Sequence, residues 1–116
     1  MVLALVDDLM FRSKIKSTAA AVGVEIAFAG SSATALASMR TTTPALVILD
    51  LNSPRTDPIG TVTAMKSDAG LASIPTLGYV SHVDAATIAA ARAAGVDDVL
   101  ARSAFVATLA ELLAGR

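Results

Sequence analysis

Five short apolar runs, each followed by a stretch with helical character, constrain this chain more than any other feature. The runs cover residues 2–6, 24–28, 45–49, 75–80 and 97–100. Runs of this length, rich in β-branched residues, read as buried strands of a parallel sheet. The intervening stretches carry helix signals. The first spans about 10–21 and stops before Gly23; the second opens at Ser31 or Ser32 and reaches about Arg40. The third has Asp57 as N-cap and Pro58 at its first position. The fourth starts at Asp84 and is nearly all good helix formers through residues 85–94, until Gly95. The fifth starts near Ser103 and reaches Leu113, with Phe105, Leu109, Leu112 and Leu113 on one stripe. Strict alternation of strand and helix predicts an α/β fold: a doubly wound, five-stranded parallel sheet built from right-handed βαβ units.

At 116 residues the chain fits a single domain, 1–116, able to bury a core without staples. Thr41-Thr42-Thr43-Pro44 reads as a turn rather than a boundary, and the last helix, reaching almost to Arg116, leaves no room for an effector domain. The absence of cysteine excludes disulfides and thiolate metal sites. A formal net charge of −1 gives no pull toward nucleic acid or acidic membranes. The local basic cluster, Arg12, Lys14 and Lys16, reads as a solvated helix face, with phosphate binding as the alternative. Although 54% of residues are hydrophobic, no apolar run approaches the ~18 residues that cross a bilayer. Asp7 and Asp8 interrupt the start before a signal peptide could form, so a cytoplasmic location is the default. The excess of small apolar residues could leave an exposed face that favours a homodimer.

Chemistry concentrates where two runs end. Val2-Leu3-Ala4-Leu5-Val6 ends at Asp7 and Asp8, and Ala45-Leu46-Val47-Ile48-Leu49 ends at Asp50. Ligands of open α/β sheets sit outside the carboxyl ends of the strands. If the two strands are neighbours, three carboxylates converge and repel one another unless a cation is present. Such a set suits Mg²⁺, with one Asp free to act as a nucleophile. Weighed against this, Asp50 could cap a turn or pair with Arg102, and Asp7 and Asp8 could simply be helix N-caps. His82, in the loop after the fourth run, is most simply a solvated histidine. No Gly-rich phosphate loop, dinucleotide fingerprint or nucleophile elbow is present.

The chain resembles the receiver domains of bacterial two-component response regulators. The resemblance covers essentially its whole length. Val6-Asp7-Asp8 is similar to the family's metal-binding pair, and Leu49-Asp50-Leu51-Asn52-Ser53-Pro54 to its phosphoacceptor strand end. Ile74-Pro75 and Gly95-Val96-Asp97-Asp98 fit the openings of the fourth and fifth strands. The resemblance implies a flavodoxin-like (βα)₅ fold with strand order 2-1-3-4-5. It implies that Asp50 accepts a phosphoryl group from a histidine kinase, a phosphotransfer protein or a small phosphodonor. Asp8 would ligate Mg²⁺ directly, Asp7 through water, and Asn52 by its backbone carbonyl. Output would pass to a downstream protein partner through the face around the fourth and fifth helices. At most, the chain would catalyse its own phosphorylation and dephosphorylation.

Three positions depart from the family pattern. The Thr or Ser expected at the end of the fourth strand is Val80; Ser81 would substitute only if the strand end were shifted by one, and such a slip turns a side chain to the other face. The Lys-Pro pair after the fifth strand is Arg102-Ser103; Arg keeps the charge but not the compact ammonium, and the usual reason for a cis peptide is gone. The switch aromatic falls on Val99. Arg55 and Pro58 stand where the family usually has Gly, which stiffens the loop and brings Arg55 near the site. Two functions follow as expectations: a receiver phosphorylated on Asp50, or a pseudo-receiver that binds partners or dimerises without phosphorylation. A small-ligand α/β protein is a third, weaker reading, since no cofactor motif supports it.

Overall fold

The computed structural model describes residues 1–81 and 84–115. It contains β1 (Val2–Leu5), α1 (Leu9–Val22), β2 (Ile26–Ala29), α2 (Ser32–Thr41), β3 (Leu46–Asp50), α3 (Pro58–Lys66), β4 (Thr76–Val80), α4 (Ala85–Ala94), β5 (Asp98–Ala101) and α5 (Arg102–Ala114). The strands form one parallel sheet in the order β2-β1-β3-β4-β5, as expected.

Alternation along each strand sends side chains to two separate cores. Val2, Ala4, Leu46, Ile48, Leu77 and Tyr79 pack with Phe11 and Ile15 of α1 and with Phe105, Leu109 and Leu113 of α5. Leu3, Leu5, Val47, Leu49 and Val80 pack with residues of α2, α3 and α4, among them Met39, Met65 and Ala91. The first strand is central. Its residues are fully buried and pair with both β2 and β3. Each such side chain contributes about 1.5–3 kcal/mol on burial if it is as large as Val or Leu.

The helix ends follow their sequence signals. Asp8, Ser31, Asp57 and Asp84 each accept a backbone N–H of the helix that they precede. Gly23 and Gly95 end α1 and α4 in the left-handed region, at φ 72° and 109°. Asp57 caps α3 from φ 46°, a conformation that Asp tolerates better than most residues.

The boundaries of the strands need correction. The second is Ile26–Ala29 rather than 24–28. Val24 is still closing the turn after α1, its N–H donating to the Ala19 carbonyl, whereas the Glu25 carbonyl already accepts from Val2 of β1. β5 ends at Ala101 and α5 begins at Arg102 with no connecting residue, one position before the Ser103 start expected. Its N-cap, Ala101, offers no side-chain bond. No cis peptide occurs among the described residues.

The candidate phosphoacceptor site

Asp50 is the last residue of β3, and the loop that follows folds back on it. The Asn52 N–H donates to Asp50 Oδ1 at 3.1 Å, and Asn52 Oδ1 accepts the N–H of Ser81 at 2.6 Å. The loop is thereby tied to the end of β4. Ser53, buried behind it, donates from its hydroxyl to Asp7 Oδ1 at 3.0 Å, which ties the same loop to the end of β1. Asp7, Asp50, Asn52 and Ser81 thus stand along one sheet edge, at the carboxyl ends of three adjacent strands.

The acidic residues differ in what holds them. Asp8 Oδ1 accepts from Met10 N at 3.0 Å and Phe11 N at 3.1 Å, so Asp8 is the N-cap of α1. Asp7 is not a cap; its described partner is Ser53. Among the described residues no three acidic or histidine side chains are already gathered as a metal-ligand cluster. Their charges nonetheless bear on one another. Burial pushes the Asp50 carboxyl above the usual carboxylate range; the Asn52 N–H pulls the other way, Asp7 adds to the rise, Arg102 offsets it and Asp8 adds further. Oxygens of this kind, under mutual repulsion, suit a hard divalent cation.

Arg102 is placed by the immediate passage from β5 into α5. The sequence allowed an ion pair with Asp50, and that pairing is absent: no Arg102–carboxylate salt bridge occurs among the described residues. Instead the guanidinium stands over the Phe11 ring, 4.3 Å from its centroid. A planar, weakly hydrated cation stacks on an aromatic face in a way that an ammonium does less well. It still acts on Asp50 through space, as the direction of its effect on that carboxyl shows.

Val80 is the last residue of β4, opposite Ala101, and its side chain is buried in the α2–α4 core. Ser81 lies just beyond the strand and is exposed. Val99 is half-buried against the same core as Val80. Arg55 is exposed in the loop, and His82 lies outside the described residues.

Sequence reasoning missed Tyr79. It stands opposite Asp50 in the β3–β4 pairing and is 1% exposed. Its ring stacks on Phe105 at 4.8 Å and lies 4.9 Å from Phe11. Burial raises the pKa of its hydroxyl, Asp50 raises it further, Arg102 opposes, and Asp8 and Asp7 add smaller increments. The available signal was its place in the fourth run, one residue before Val80; the run alone did not say which face it would take.

Comparison with known proteins agrees with this architecture. The family model described as "Response regulator receiver domain" matches residues 2–114. No curated protein matches the chain. Among solved structures, the response regulator protein from Burkholderia multivorans is 28% identical, with a TM-score of 0.76, over 98% of this chain and 91% of that one. The chemotaxis response regulator CheY4 of Vibrio cholerae is 23% identical, with a TM-score of 0.83, over 97% and 93%. The phosphorylated cyanobacterial phytochrome response regulator RcpA is 23% identical, with a TM-score of 0.82, over 98% and 88%.

Proposed function

The chain belongs to the response regulator receiver domain family, and on that premise we propose that Asp50 is its phosphoacceptor. The observation that carries this is the position of Asp50: a half-buried carboxylate at the end of a central strand, on which Asp7, Asp8 and Arg102 all act. One Asp50 carboxylate oxygen forms a bond to phosphorus as the donor's bond to phosphorus breaks. The bonding electron pair leaves with the donor, as acetate from acetyl phosphate or as the imidazole of a kinase or phosphotransfer histidine. The product is an acyl phosphate. Attack by water releases phosphate and restores the carboxylate.

Mg²⁺ would be held by Asp8, Asp7, Asp50 and the Asn52 backbone carbonyl, and it would neutralise charge on the transferring group. The protein's own residues set the stage for it. The Asn52 N–H orients Asp50, and the Ser53 hydroxyl holds Asp7 toward the β3 loop. Arg102 offsets negative charge at Asp50 from its stack on Phe11. Asp8 has to serve the ion while capping α1.

The domain signals rather than metabolises, through a kinase or phosphotransfer partner and a downstream protein. The start of α1 supports docking at this end: Leu9 is 75% exposed and Met10 85%, the two residues that follow Asp8. No helix among the described residues is long and apolar enough to cross a membrane.

The test is incubation with Mg²⁺ and acetyl phosphate, read by intact mass beside Asp50→Asn. One phosphoryl adduct on the wild type and none on Asp50→Asn is the expected result. No adduct on either, with no Mg²⁺-dependent change in stability, would turn the reading to a phosphorylation-independent interaction module.

A further inference from the structure

In a parallel pair, residues in register direct their side chains to the same face of the sheet. Asp50 and Tyr79 are such a pair. Leu46 and Ile48, four and two residues before Asp50, face α1 and α5, and Tyr79 packs on that side. Val80, which lacks a hydroxyl, faces the opposite core. The hydroxyl nearest Asp50 in strand register is therefore that of Tyr79, which the alternation of β4 sends to the Asp50 side of the sheet.

That hydroxyl is buried and has no hydrogen-bond partner among the described residues. Buried polar groups in native proteins are nearly always paired, so an unpaired one calls for an explanation. The charges that act on it are those of the site itself, Asp50 first, then Arg102, Asp8 and Asp7. Phe105 stacks on the ring at 4.8 Å and Phe11 lies 4.9 Å from it, the two Phe rings being 6.0 Å from each other, so they brace neighbouring sides of it. A donor is thus buried on the Asp50 face of the sheet with no acceptor among the described residues.

We propose that the Tyr79 hydroxyl donates a hydrogen bond to a phosphoryl oxygen on Asp50, supplying from the α1–α5 face the contact that Val80 cannot make. This rests on Asp50 being the phosphoacceptor. Phosphorylation lengthens the Asp50 side chain and adds acceptor oxygens. The ring is braced by Phe105 and Phe11 and the acceptor is added on the same face of the sheet, so the bond forms without displacing β4. The phenol stays protonated, because burial and the neighbouring carboxylates both oppose its ionisation.

The chain has one tyrosine and no tryptophan, so its near-UV tyrosine band reports Tyr79 alone. Wild type, Tyr79→Phe and Asp50→Asn are incubated with Mg²⁺ and acetyl phosphate and followed by intact mass and near-UV circular dichroism. Far-UV spectra confirm that each variant is folded. The expected result is a tyrosine band that changes in step with the adduct on the wild type. The steady-state adduct on Tyr79→Phe is expected to fall about tenfold, the scale of one hydrogen bond to a charged group. An adduct on the wild type with an unmoved tyrosine band, or an equal yield on Tyr79→Phe, overturns the Tyr79 contact and leaves Asp50 as phosphoacceptor. No adduct on the wild type overturns both.

Discussion

Leu51 packs directly against the backbone of Gly78. A β-carbon at Gly78 would stand 2.6 Å from Leu51 Cδ1 and 2.8 Å from its Cγ. The residue after the candidate phosphoacceptor is in this way seated in a notch of the neighbouring strand, and the Leu51 N–H donates to the Tyr79 carbonyl at 3.0 Å. The notch fixes where the Asp50 loop leaves the sheet.

Filling the notch should therefore destabilise the fold. Gly78→Val is expected to cost about 1–3 kcal/mol, the usual scale of overpacking in a filled core. Paired with Leu51→Ala, it should cost less than the sum of the two single changes, because each relieves the other's misfit. Chemical denaturation of the four proteins checks this, and strict additivity would show that the two residues do not compete for one space.

Asp8 should separate into two roles under substitution. Asp8→Ala removes the cap of α1 and is expected to lose about 1 kcal/mol of stability, whereas Asp8→Asn keeps a good N-cap and most of the stability. Both lose a carboxylate, so both should weaken Mg²⁺ binding. Thermal unfolding with and without Mg²⁺ measures both effects; an Asp8→Asn protein that still gains the full wild-type stabilisation from Mg²⁺ would remove Asp8 from the metal site.

Tyr79 should make the protein sensitive to alkali. Its folded pKa is raised above the ordinary value of 10.0. The folded state therefore keeps a proton that the unfolded state releases, so the associated stability is fully present below pH 10 and is lost as pH rises above it. Relative to Tyr79→Phe, the wild type should lose up to about 1.4 kcal/mol per pH unit in that range. At neutral pH Tyr79→Phe should be no less stable than the wild type, since it deletes a hydroxyl left unpaired in burial. Parallel stability–pH curves for the two proteins above pH 10 would contradict this.

Most of the fold was legible because it is written in patterns of short range. The runs ending at Asp7 and Asp50 are apolar at every position, as central parallel strands must be, and Asp57-Pro58 and Gly95 mark helix ends by their own backbone preferences. β2 was placed one to two residues early because Val24 is as apolar as a strand residue while serving the turn after α1. Among the described residues no three carboxylates are gathered as expected, but the placing of Asp7 and Asp50 at the ends of neighbouring strands was readable. The division of labour was not: a carboxylate that ligates and one that caps α1 look alike in sequence, and Asp8 accepts two helix N–H groups. Arg102 was read by charge, and its stack on Phe11 depends on a residue from the other end of the chain. Tyr79 went unnoticed for a related reason, since a fully buried strand shows no polar alternation to tell its two sides apart.

The sheet order carries one more consequence. β1 lies between β2 and β3, and every side chain from Val2 to Leu5 is fully buried. The stretch nearest the start of the sequence is thus a keystone rather than a fringe. A nick in the exposed turn at Gly23 would leave β1 and α1 gripped by both neighbouring strands and by α5, so the two fragments should reassemble from separate peptides. Removal of residues 2–5 would instead leave β2 and β3 with no partner between them.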